Sequence, residues 1–96
     1  MSDYLREIKN AQIDAERLSV ELTDGFTFNV PLSFYPTLEL ATDEERNAME
    51  VMSYSFHWET LDCDLGVEGL LQGFKEHPKL AEKARLRFQQ RQHAAA

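Results

Sequence analysis

The residues of this chain best suited to chemistry crowd into one stretch: His57, Asp62, Cys63, Asp64 and Glu68. Acid–base or nucleophilic catalysis needs such groups held in an apolar pocket that tunes their pKa values. A strand that turns Phe56 and Trp58 inward puts His57 on the polar face instead, away from any such pocket, so His57 reads as a solvated residue. Asp62, Asp64 and Glu68 with His57 offer donor types suited to a hard cation or zinc, but Asp-x-Asp alone lacks the ligand-rich loop of a calcium site. Cys63 is the single cysteine, which excludes an intramolecular disulfide or a Cys-rich zinc site and agrees with a reducing compartment. It reads as a small, half-buried side chain. The four glycines, Gly25, Gly66, Gly69 and Gly73, fit turns and helix ends rather than a phosphate-cradling loop. No catalytic residue, metal or cofactor is expected, and the chain reads as a non-enzyme.

The elements that would position these residues are legible in part. A chain of 96 residues with 43% hydrophobic and 10% aromatic content supports one core and no second one. No run approaches the roughly 18 apolar residues of a membrane span, and the N-terminus lacks a basic start followed by an apolar stretch. A cytoplasmic protein is expected. Asp3 to Lys9 is too short and too thinly anchored to assign. From Arg17, Leu18, Val20 and Leu22 alternate with polar residues, Asp24-Gly25 intervenes, and Phe26, Phe28 and Val30 alternate again. Period-two alternation around Asp-Gly predicts a β-hairpin with one face in the core. Pro31 ends the second strand or lies on an edge, and Leu32 to Leu38 reads as a loop or short helical turn.

Thr42 with Glu45 matches a capping box and predicts a helix from about Asp43 to Glu50. Met52, Tyr54, Phe56 and Trp58 then predict a third strand whose aromatic face joins Phe26 and Phe28. Asp62 to Leu71 reads as a turn leading into one helical turn that buries Val67, Leu70 and Leu71, with Gly73 as its stop. Pro78 begins a last helix, with Leu80, Ala81, Ala84 and Phe88 inward and Lys79, Lys83, Arg87 and Arg91 outward. The expected fold class is α+β: a small antiparallel sheet made of the hairpin and at least one further strand, short helices, and a C-terminal helix.

Charge divides the chain in two. Residues 1–74 carry 15 acidic residues against four basic ones, a net −11, while residues 75–96 carry six basic against two acidic, a net +4. An acidic body repels phosphates and favours basic partners, and the basic tail does the reverse. The expected organisation is an α+β domain over 1–74 and a basic helix with a frayed end over 75–96.

Asp24-Gly25, Val30-Pro31-Leu32-Ser33 with Tyr35-Pro36, Ala41-Thr42, Glu45-Arg46, His57-Trp58 and Asp62-x-Asp64-Leu65-x-Val67-Glu68-Gly69-Leu70-Leu71 together resemble domain-of-unknown-function family 2442, small bacterial and phage-borne proteins. The resemblance runs from about Ile13 to Gly73. Two positions depart from it: Cys63 stands where the family more often has an acidic residue, and Glu59 follows the tryptophan where proline is usual. The resemblance implies a compact α+β domain with no established reaction. It also implies members that occur alone, fused to helix-turn-helix domains, or beside a second small gene in pairs that look like toxin–antitoxin modules.

The function expected is a regulatory module that binds a basic protein partner through its acidic surface, in the manner of an antitoxin or a phage inhibitor. The residues expected to carry it are Glu39, Asp43, Glu44, Glu50, His57, Asp62 and Asp64 on the body, with Lys83, Arg87 and Arg91 on the tail. Glu39, Asp43, Glu44, Glu45 and Glu50 read as a plain solvated helix face, with a face that imitates phosphate spacing as the alternative. The alternative is a nucleic-acid-associated regulatory accessory protein that touches phosphates with its basic helix. A homodimer is compatible with either.

Overall fold

Leu18, Val20 and Leu22 set the inward face of β2 (Arg17–Leu22), which pairs antiparallel with β3 (Thr27–Pro31) in the register Leu18↔Val30 and Val20↔Phe28. The computed structural model describes the backbone of residues 6–95 and the side chains of residues 6–92. At the hairpin turn Gly25 takes φ +92°, a conformation that a side chain would strain. The Asp24 carboxylate accepts the Phe26 amide at 2.9 Å and the Arg6 guanidinium at 2.8 Å. On the other side of β2 lies β1 (Ile8–Ile13), with Ala11↔Val20 and Ile13↔Leu18 opposite and an irregularity between Ile8 and Asn10. β2 is therefore the centre of a three-stranded sheet, order β1-β2-β3. Lys9, in the segment left unassigned by sequence, belongs to β1, while Asp3 to Leu5 lie outside the described residues.

After a 3-10 turn at Leu32–Phe34 and the short α1 (Pro36–Glu39), the expected capping box is present: the Glu45 amide donates to Thr42 Oγ1 and the Thr42 amide to Glu45 Oε1. The helix it starts, α2 (Asp43–Asn47), stops short of the expected Glu50, which instead opens β4 (Glu50–Val51). The expected strand from Met52 shortens to β5 (Ser55–Trp58), because the chain turns where the Met52 amide bonds the Ser55 carbonyl at 2.9 Å. Met52 and Tyr54 are accordingly exposed. Asp62 adopts φ +51° and the chain folds back as β6 (Cys63–Gly66), a strand where sequence predicted only a turn. The second sheet has the order β4-β5-β6. A hydrogen bond from the Ile8 amide to the Ser53 carbonyl, 2.8 Å, ties it to the first.

The core lies where both sheets turn Leu18, Val20, Leu22, Phe56 and Trp58 inward against Leu32, Leu38 and Val67. Phe26 does not join it: at the hairpin end it is 45% exposed, under the Arg6 guanidinium 4.4 Å from its ring centroid, while Phe28 is half-buried. Arg46 is the unexpected member. Its guanidinium is buried and donates to the carbonyls of Leu38, Glu39 and Ala41 and to Asp43, while its own carbonyl accepts the Trp58 indole N–H at 3.0 Å. It closes the C-terminal end of α1, whose last carbonyls have no partner within the helix.

From β6 the chain enters α3 (Val67–Leu71), which buries Val67 and Leu70 as expected and leaves Leu71 half-buried. Three contacts fasten the connection to α4: Tyr35 Oη to the Phe74 carbonyl, the Glu76 amide to the Phe34 carbonyl, and the Thr37 amide to Glu76 Oε1. α4 (Pro78–Ala95) packs Ala81 and Ala84 into the body and half-buries Phe88; Leu80, expected inward, is outward. Among the described residues no helix is long and apolar enough to cross a membrane.

Candidate functional site

The register of the second sheet lines up Glu50, His57 and Asp64 across β4, β5 and β6, on the face away from the core. Glu59, in the turn just after β5, reaches the same side and meets His57 Nε2. His57 Nδ1 lies 2.6 Å from Asp64 Oδ1, and Nε2 lies 3.0 Å from Glu59 Oε1 and 3.9 Å from Glu50 Oε1. The sequence placed His57 on this face correctly, but Glu59 was missed as a partner; its i+2 spacing was the available signal. Asp62 and Glu68, grouped with His57 by sequence proximity, make no hydrogen bond to it. Among the described residues, the group whose donor atoms could converge on a cation is Glu50, His57 and Glu59, all within 4.8 Å of one another.

Hydrogen bonds that the imidazole donates to the Glu59 carboxylate and then to Asp64 raise the His57 pKa above its ordinary 6.5. A histidine whose folded-state pKa is raised contributes stability that is fully present below the unfolded value and is lost as pH rises through the folded one. The melting temperature should therefore fall as pH is raised from 6 through the His57 transition, and His57→Gln should flatten that slope. An NMR titration giving a His57 pKa at or below 6.5 would contradict the arrangement.

On the other side of β6 runs an open groove of about 240 Å³, whose apolar lining includes Tyr35, Cys63, Leu65, Leu70, Phe74 and Leu80. All of β6 borders it, as do Phe74 to His77. Phe74 is 61% exposed and Leu80 49%, an arrangement that leaves apolar surface in water beside a strand edge. Burial, reinforced by Glu76, pushes the Cys63 thiol up to about 12, so near neutral pH it is no nucleophile. It is the small side chain expected from the sequence, but buried rather than half-buried.

The remaining residues expected to bind a partner sit elsewhere. Glu39, Asp43 and Glu44 are exposed on α1 and α2, with Asp43 already engaged by Arg46. Asp62 borders the groove at the start of β6. On α4, Lys83 is exposed and Arg87 half-buried, while Arg91 turns back to the Leu40 carbonyl and to Glu45 Oε1 at 3.5 Å. The structure thus gathers Glu50, His57 and Asp64, with Asp62 nearby, and keeps the α1–α2 acids and the α4 bases apart from them.

A family model described as "Protein of unknown function (DUF2442)" matches residues 8–76, from the first residue of β1 to two residues before α4. A crystal structure of a protein of unknown function from Rhodospirillum rubrum ATCC 11170 is 34% identical, with a TM-score of 0.67, covering 79% of this chain and 96% of that one. No curated protein matches the chain.

Proposed function

Because the chain belongs to the DUF2442 family of proteins of unknown function, we propose its role from the surface it presents: a non-catalytic regulatory module that binds a basic protein partner, in the manner of an antitoxin or an inhibitor. The observation that carries this reading is the row of Glu50, Glu59 and Asp64 around His57, exposed on the outer face of the second sheet. Three carboxylates around one imidazole leave a negative surplus even when His57 is protonated. Such a surplus accelerates encounter with a cationic surface and selects against acidic ones. Purification of the tagged full chain from its host, beside a Glu50→Gln, Glu59→Gln, Asp64→Asn variant, tests this. A basic protein should co-purify with the parent, be released by salt, and be missing from the variant. Equal retention by both would overturn the assignment to this face.

A second reading rests on α4, where Lys79, Lys83 and Arg85 are exposed. They could contact nucleic-acid phosphates, in which case duplex DNA or RNA would bind with a steep salt dependence that Lys79→Gln, Lys83→Gln reduces.

A further inference from the structure

We propose that the edge of β6 that no described strand pairs with, and its groove, take an extended segment of the partner as a fourth strand of the second sheet, with apolar side chains in the groove and lysine or arginine side chains against Asp62 and Asp64. This rests on the protein-binding reading above and supplies its geometry.

The backbone argument comes from pairing parity. The Val67 amide bonds the Tyr54 carbonyl at 3.0 Å, which makes that couple a hydrogen-bonded pair. In an antiparallel ladder such pairs alternate with non-bonded ones. With the observed register, Phe56–Leu65 and Trp58–Cys63 are bonded pairs and Ser55–Gly66 and His57–Asp64 are not. The amide and carbonyl of Asp64 and the amide of Gly66 therefore point away from β5, toward the open edge, where an added strand would use them. The side-chain argument agrees. Leu65 shares the core-facing side of β6 with buried Cys63, so an added strand would turn alternate side chains inward toward Tyr35, Leu70, Phe74 and Leu80. The intervening side chains would lie on the outer side with Asp64.

The opposite edge of the fold is blunted. On β3 the parity set by the Leu32 amide to Glu16 carbonyl bond, 2.9 Å, puts Pro31 at an outward-facing position, where it has no N–H to offer an intruding strand. β6 has no proline; its protection is acidic. Two copies joined antiparallel about Asp64 would set Asp64 against Asp64, and like charges directly opposite are destabilising. A cationic strand meets the reverse situation, beside a body of net −11. Lys75, on the far rim, is drawn over the Phe34 ring, 5.0 Å from its centroid. The charge of the site thus selects a basic partner over a second copy.

The test uses the full ¹⁵N-labelled chain and a capped heptapeptide alternating valine and lysine. Two N-methylated versions, each blocking one alternate set of amides, and a valine–glutamate peptide serve as controls. The lysine peptide should shift the amides of Asp62 to Gly66, Phe74 and Leu80. One N-methylated set should weaken binding by about tenfold or more, the other should not, and the glutamate peptide should not bind. Phe74→Ser with Leu80→Ser, both at exposed positions, should weaken binding by a similar factor in a chain that still folds. Shifts confined to Glu50, His57 and Glu59 would overturn strand addition while leaving the acidic-surface reading intact. Indifference to both N-methylated sets, or no binding at all, would overturn strand addition too, and the co-purification experiment would still judge the acidic surface separately.

Discussion

Val20→Asp should leave no cooperatively folded protein at 25 °C. Val20 is 2% exposed and sits on the central strand of the first sheet, between Ala11 and Phe28. A carboxylate there would face Leu18, Leu22 and the buried side of the second sheet with no cation beside it. Burying an unpaired charge costs several kcal/mol even after relaxation, against a total stability of about 5–15 kcal/mol for a small domain. The same change at Phe28, half-buried on β3, should lower the melting temperature and still leave a folded state. Circular dichroism melts of the two variants check the pair. A Val20→Asp protein that melts like the parent would mean that β2 is out by one residue, since a one-residue slip sends every side chain to the other face.

The second large effect belongs to Arg46→Met. The substitution keeps much of the apolar stem and removes the guanidinium, leaving the Ala41 carbonyl without its buried donor and the Leu38 carbonyl with only the Ala41 amide at 3.3 Å. One unsatisfied buried carbonyl costs about 1–3 kcal/mol and the weakened Leu38 carbonyl adds to it, so a loss of about 2–3 kcal/mol is expected. The bond to Asp43 adds little, because that carboxylate is largely in water. Asp43→Asn should accordingly be nearly silent. Chemical denaturation of both variants separates the two contributions: equal losses would mean that Arg46 acts as an ion-pair partner rather than as a donor to backbone carbonyls.

Arg46 also shows what the sequence could not convey. It stands in a helix rich in acids, where an arginine reads as a surface residue, and only the closure of α1 against α2 turns its side chain under the chain. The hairpin was legible because Val20 and Leu22 alternate cleanly with polar neighbours around a turn that requires glycine. β1 was not, since only Ile8 is fully buried in it and Ala11 and Ile13 are half-buried; its pairing is imposed by β2 rather than by its own pattern. β6 was hidden for a related reason. Two acids and a glycine mask the inward pair Cys63 and Leu65, and Asp62, not a glycine, takes the left-handed turn before it. The candidate site followed the same rule: the outward direction of His57 was readable from Phe56 and Trp58, whereas its convergence with Glu50 and Asp64 depends on cross-strand register.

Every strand pair among the described residues joins strands that are consecutive along the chain, β1 to β2 to β3 and β4 to β5 to β6. Each sheet can therefore assemble from its own stretch of polypeptide, and loop closure asks little entropy of either. The bond between Ile8 and Ser53 spans the two and must await both. The strands of the first sheet precede Phe56 and Trp58 in the chain and so leave the ribosome first, which leaves their inner face, Leu18, Val20 and Leu22, without its aromatic cover until those residues emerge. Pulse-labelled hydrogen exchange should find β2 amides protected ahead of β5 amides, and the reverse order would place the nucleus in the aromatic sheet.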